Sequence, residues 1–62
     1  MLKSIREKNN LTQQKLSMLS EINLRTLQDY EQGHKNINNA KAITVYRLCK
    51  ILNCSIEDIL NL

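Results

Sequence analysis

Few side chains in these 62 residues are equipped for covalent chemistry. His34 is the one histidine, and Cys49 and Cys54 are the only cysteines. Two thiols and one imidazole fall short of the four protein ligands of a closed zinc site. Two cysteines are also too few for the disulfide framework of a secreted mini-protein, so they read as reduced, buried small hydrophobes. There is no Ser/His/Asp set and no glycine loop to cradle a phosphate. A chain this short has little room for a substrate-sized cavity. Enzyme activity therefore has nothing to stand on, and no metal, cofactor or small-molecule ligand is expected. Hydrogen bonding is better supplied. Arg25 offers a planar fork of donors, and Gln28 an amide that both donates and accepts.

Those two residues gain meaning from the element that carries them. At 100° per residue, a helix from Leu24 to Gln32 puts Leu27 and Tyr30 on one side. Arg25, Gln28, Asp29 and Gln32 fall on the opposite arc, with Leu24 at its edge. Asn23 is a good N-cap for this helix, and Gly33, the single glycine, closes it.

Four further helices are expected around it. The first runs from about Leu2 to Lys8 and is stopped by Asn9-Asn10. The second covers Gln13 to Leu19, capped by Thr12, with Leu16 and Leu19 apolar and Leu11 as a staple. The polar stretch His34 to Asn39 is a loop pinned by Ile37. Asn38 or Asn39 then caps a fourth helix, Ala40 to Leu52, whose stripe of Ile43, Val45, Leu48, Cys49, Ile51 and Leu52 makes it the central one. Asn53 ends it in place of a glycine. Ser55 with Asp58 resembles a capping box for the last helix, Ile56 to about Asn61.

Composition agrees with a single all-α domain spanning residues 1–62. No proline and one glycine argue against turn-dense β architectures, and 42% apolar with 24% charged residues is ordinary for a globular chain. A chain of this size buries only about 60% of its unfolded surface. The net charge of +3 suits a polyanionic partner without requiring one. No signal-peptide core and no membrane-length apolar run are present, so a cytoplasmic location is expected. Met1 and a complete fifth helix point to a whole chain.

The spacing within residues 13–32 carries a more specific signal. Counting Gln13 as the first position, small Ser17 is fifth, Ile22 tenth, Asn23 eleventh, Leu27 fifteenth and Tyr30 eighteenth. Two crossed helices need a small contact residue, a turn filler, a cap and two core anchors at those places. Together with Ile5-Arg6, the words Leu11-Thr12-Gln13-Gln14-Lys15-Leu16, Tyr30-Glu31-Gln32-Gly33 and the run from Leu52 to Leu60, the chain resembles the phage repressor and Cro-type helix-turn-helix, the XRE family of bacterial regulators. The likeness extends over essentially all 62 residues. It departs at the ninth position, often glycine in the family and here Glu21, and in a somewhat longer loop after Gly33.

That resemblance implies a compact five-helix, repressor-like bundle with its helix-turn-helix at the second and third helices. It implies sequence-specific binding of double-stranded DNA by a transcriptional regulator, most plausibly a repressor. Base contacts carry over to Leu24, Arg25, Gln28 and Asp29, with Leu24 packing on a thymine methyl. Asp29 lies four residues after Arg25, so it either orients that arginine through an ion pair or contacts DNA itself. Backbone contacts carry over to Thr12, Gln13, Gln14, Lys35 and Asn36. His34 reads as a loop residue without special chemistry. Arg6 and Glu31 match a structural ion pair of the family. A homodimer on a palindromic operator is expected, with Ile56, Ile59, Leu60 and Leu62 either forming its interface or completing the core. The competing reading is a protein-interaction module or antitoxin component on the same fold, with weak or no DNA binding of its own.

Overall fold

Four residues in the left-handed region punctuate the chain: Asn10 (φ 58°), Glu21 (φ 60°), Gly33 (φ 83°) and Asn53 (φ 53°). Each stands just past a helix, where a reversal of backbone curvature ends the hydrogen-bond ladder. The computed structural model describes residues 2–60. Between the breaks lie α1 (Leu2–Lys8), α2 (Gln13–Ser20), α3 (Leu24–Gln32), α4 (Ala42–Leu52) and α5 (Ile56–Ile59). A single 3-10 turn, Ile37–Asn39, interrupts the loop before α4, and no strand occurs among the described residues.

Leu16, Leu27 and Leu48 are fully buried and bring α2, α3 and α4 to one centre. Leu2, Ile22, Ile37, Leu52 and Ile59 complete that cluster. Tyr30, Leu11 and Ile5 pack around it as half-buried neighbours. α2 packs on both α3 and α4, α4 on α5, and α1 on α3. Asn9 ties two helix ends together, its amide donating to the carbonyls of Ile5 (2.8 Å) and Leu52 (3.3 Å).

The five-helix, all-α expectation holds, with local corrections. α4 begins at Ala42, not Ala40, because neither Asn38 nor Asn39 caps it. Instead, Asn36 Oδ1 accepts the N–H of Asn38 and caps the 3-10 turn, while Lys41 enters α4 with no side-chain cap. α2 runs one residue further than expected, to Ser20. Ile43 is 51% exposed and Leu19 48% exposed, so both drop out of the apolar stripes assigned to them. α5 stops at Ile59, with Leu60 already extended; Asn61 and Leu62 lie outside the described residues.

The C-terminal apolar set also divides. Ile59 is 1% exposed and belongs to the core, and half-buried Leu60 packs against it, whereas Ile56 is exposed. Ile59 is therefore removed from any subunit interface by its burial.

The caps read from the sequence otherwise form. Thr12 Oγ1 accepts from Lys15 N (3.1 Å) and Asn23 Oδ1 from Arg25 N (2.9 Å). Asp58 Oδ2 accepts from both the N–H and the hydroxyl of Ser55 at 3.0 Å, which holds the Asp58 carboxyl below its ordinary range. Both thiols are free and half-buried. Burial, aided by neighbouring Cys49, pushes the Cys54 thiol up to about 11.

Candidate nucleic-acid interface

The turn between α2 and α3 has to cross two helices within three residues. Glu21 adopts the left-handed conformation that a glycine would reach freely, at a cost of roughly 1–2 kcal/mol. Side-chain hydroxyls hold the turn in place. Ser17 donates to the Ile22 carbonyl, which explains why a small polar residue sits at the helix contact. Ser20, 1% exposed, donates to Leu16 O (2.7 Å) and accepts from Ile22 N (3.4 Å). Ile22 then fills the space beneath the turn, 8% exposed. From α4, Arg47 Nη1 reaches the Glu21 carboxylate at 3.6 Å, an exposed pair of small energetic weight.

Beneath α3 lies a connected polar network. Arg6 Nε donates to Glu31 Oε2 (2.7 Å) and its Nη2 to Oε1 (3.2 Å), while Nη1 donates to the Leu11 carbonyl (2.7 Å). The two side chains are 10% and 1% exposed. Hydrogen bonding to Glu31 raises the Arg6 guanidinium above its ordinary value. The family-implied ion pair is present and ties α1 to α3. Glu31 also accepts from Gln13 Nε2 (3.0 Å), and Gln13 Oε1 in turn accepts from Gln28 Nε2 (3.3 Å). The leading glutamine of α2 thus braces α3 from below. Because Gln28 Nε2 carries two hydrogens, one remains for an outside partner, as does Oε1.

On the outer arc of α3, the Arg25 side chain is 81% exposed and its Nε lies 3.4 Å from Asp29 Oδ1. Asp29 is less available than its helical position suggests. Its carboxylate is only 15% exposed and lies within reach of both Arg25 and His34. Leu24 is half-buried at the start of the helix. The sequence-assigned base-contact residues therefore share one face, with Asp29 recessed within it.

Of the backbone-contact candidates, Thr12, Gln14, Lys35 and Asn36 are exposed, while Gln13 is half-buried in the network. Thr12 and Asn36 each use a side-chain oxygen as a cap. Sequence reasoning missed the neighbours of His34. A detectable signal existed: a glycine closing a helix turns the following residue back over the last turn, here onto Asp29. No group of three His, Cys, Asp or Glu side chains that could hold a metal occurs among the described residues. None of their helices is long and apolar enough to cross a membrane.

A protein-family model described as helix-turn-helix matches residues 2–59. Neither curated proteins nor solved structures gave a match to the chain.

Proposed function

Because the chain belongs to the XRE-type helix-turn-helix family of DNA-binding transcription regulators, we propose that it is a sequence-specific repressor whose α3 reads the major groove. The observation that carries this reading is the division of labour along α3. Leu27 and Tyr30 are committed to the core, while Arg25 and Gln28 present hydrogen-bonding groups outward from a braced helix. Arg25 pairs with guanine, Gln28 with adenine, and Leu24 packs on a thymine methyl. Asp29 acts as an anchor for Arg25 and makes no base contact of its own. The start of α2, with Thr12, Gln13 and Gln14, lies against one phosphate, and Lys35 and Asn36 against another.

Few phosphates are neutralised by one copy, so two copies act together on a palindromic operator with half-sites roughly 34 Å apart. Among the described residues of the C-terminal set, Ile56 is exposed and contributes to that dimer. A second reading, docking to a protein partner, is favoured by the partial neutralisation of Arg25 by Asp29. Selection of duplexes from a randomised pool, followed by titration across salt, separates the two. A regulator enriches a defined two-fold sequence and loses affinity steeply with salt, by a slope of about 0.9 per phosphate contact. Absence of both enrichment and salt dependence overturns the proposal.

A further inference from the structure

We infer that His34, in the loop after α3, is a positioning residue that sets the base preference of Arg25 by acting through Asp29. The inference rests on the reading of α3 as the recognition helix and adds to it a determinant outside that helix.

Three observations place His34 there. Its Nδ1 lies 3.6 Å from Asp29 Oδ1, the same oxygen that Arg25 Nε approaches at 3.4 Å. The loop is fastened to Asp29 through the backbone as well. The N–H groups of Gly33, His34 and Lys35 all converge on the Asp29 carbonyl, the latter two at 2.9 and 3.2 Å. The left-handed Gly33 (φ 83°) makes this reversal possible, so the ring sits over Asp29 by chain geometry. Finally, the exposures are graded. Asp29 is 15% exposed, while Arg25 and His34 are 81% and 64% exposed. A recessed carboxylate is shared by two outward groups, one from the helix and one from the loop.

An arginine on a surface helix has many rotamers, and a base-specific fork needs one of them. Asp29 selects that rotamer only if its own carboxylate is held. The other acid at this end of the helix cannot substitute, since Glu31 is turned inward onto Arg6 and Gln13. Lys35 contributes its backbone N–H to the Asp29 carbonyl. The His34 ring, its Nδ1 3.6 Å from Oδ1, narrows the positions open to that carboxylate. Without it, the carboxylate and the guanidinium move as a loose pair.

The test uses duplexes selected from a randomised pool, with each base pair of a half-site substituted in turn. His34→Ala lowers the preference at the base pair read by Arg25 by about 1.5-fold to fivefold, the scale of an exposed ion pair. Preference at the pair read by Gln28, the salt slope and the melting temperature stay at parental values. His34→Asn, whose amide occupies nearly the same place beside Asp29, restores the preference. In an Arg25→Ala background, His34→Ala has no further effect. If Arg25→Ala removes that preference but His34→Ala does not weaken it, the role of His34 is overturned and the reading of α3 survives. An undiminished effect of His34→Ala in the Arg25→Ala background also overturns it. Should Arg25→Ala leave every preference intact, the reading of α3 fails, and the role of His34 through Arg25 fails with it.

Discussion

Replacing Arg6 with methionine keeps most of the side-chain volume and removes the guanidinium fork. In the native protein that fork supplies two hydrogen bonds to Glu31 and one to the Leu11 carbonyl. After the substitution, Glu31 Oε2 loses the Arg6 bond while the side chain remains 1% exposed, and only Gln13 still donates to Oε1. Stranding one member of a buried pair costs about 3–5 kcal/mol. A domain of this length has a total stability of only about 3–9 kcal/mol at 0.05–0.15 kcal/mol per residue. Arg6→Met is thus expected to bring the protein close to unfolding at room temperature. Urea denaturation followed by circular dichroism measures this, with an osmolyte such as sucrose added to recover a folded baseline. The double variant Arg6→Met/Glu31→Leu returns to within about 1 kcal/mol of the parent, because the uncompensated charge is gone. A loss below about 1 kcal/mol for Arg6→Met alone would refute the reasoning, since that is how a solvent-screened pair behaves.

Two of the left-handed helix ends, Glu21 and Gly33, give opposite outcomes. Glu21→Gly relieves the strain of the α2–α3 turn and stabilises by up to about 1 kcal/mol, whereas Gly33→Ala introduces it. A Cβ at Gly33 meets nothing within 4 Å, so the loss there is limited to backbone strain and thermal unfolding should show a modest decrease. The Cys54 thiol, raised from 9.0 to about 11, holds roughly a hundredfold less thiolate at pH 8 than an ordinary thiol and so reacts more slowly with an alkylating agent. Site-resolved mass spectrometry reads this, and equal Cys54 rates in folded and urea-unfolded protein contradict it. The Asp58 carboxyl, lowered by its bonds from Ser55, contributes stability that is complete above the unfolded carboxyl range near 3.8. That contribution is lost as pH falls through the lower folded value. Acid titration of stability should therefore be flatter for Asp58→Asn; an unchanged acid limb contradicts the assignment.

Helix ends were the most legible part of the fold, because asparagine, glycine and serine act there through their own backbone and side-chain chemistry. Asn10, Gly33 and Asn53 stand where the sequence placed breaks, and Asn23 and Thr12 cap as expected. Glu21 shows the opposite case. A residue poorly suited to the left-handed region occupies it because the crossing of α2 and α3, fastened by Ser17 and Ser20, overrides local preference. The start of α4 was misplaced for a related reason. A run of asparagines offers several equivalent caps, and packing of buried Ile37 selected Asn36 for a 3-10 turn. Apolar residues were over-assigned to the core: hydropathy cannot distinguish Ile43 and Ile56, which face outward, from Val45 and Ile59. At the interface, the face of α3 followed from periodicity alone. The sharing of Asp29 between Arg25 and His34 depends on how the chain folds back after Gly33, which periodicity does not describe.

If α3 meets base edges in the major groove, it meets purine N7, which is exposed only there. Binding should be measured on a selected duplex in which guanines and adenines are replaced singly by their 7-deaza analogues. Affinity should fall by about 1–3 kcal/mol at one guanine and one adenine per half-site. The guanine effect should vanish in Arg25→Ala and the adenine effect in Gln28→Ala. Uniform binding to every 7-deaza duplex, or sensitivities that persist unchanged in both variants, would contradict it.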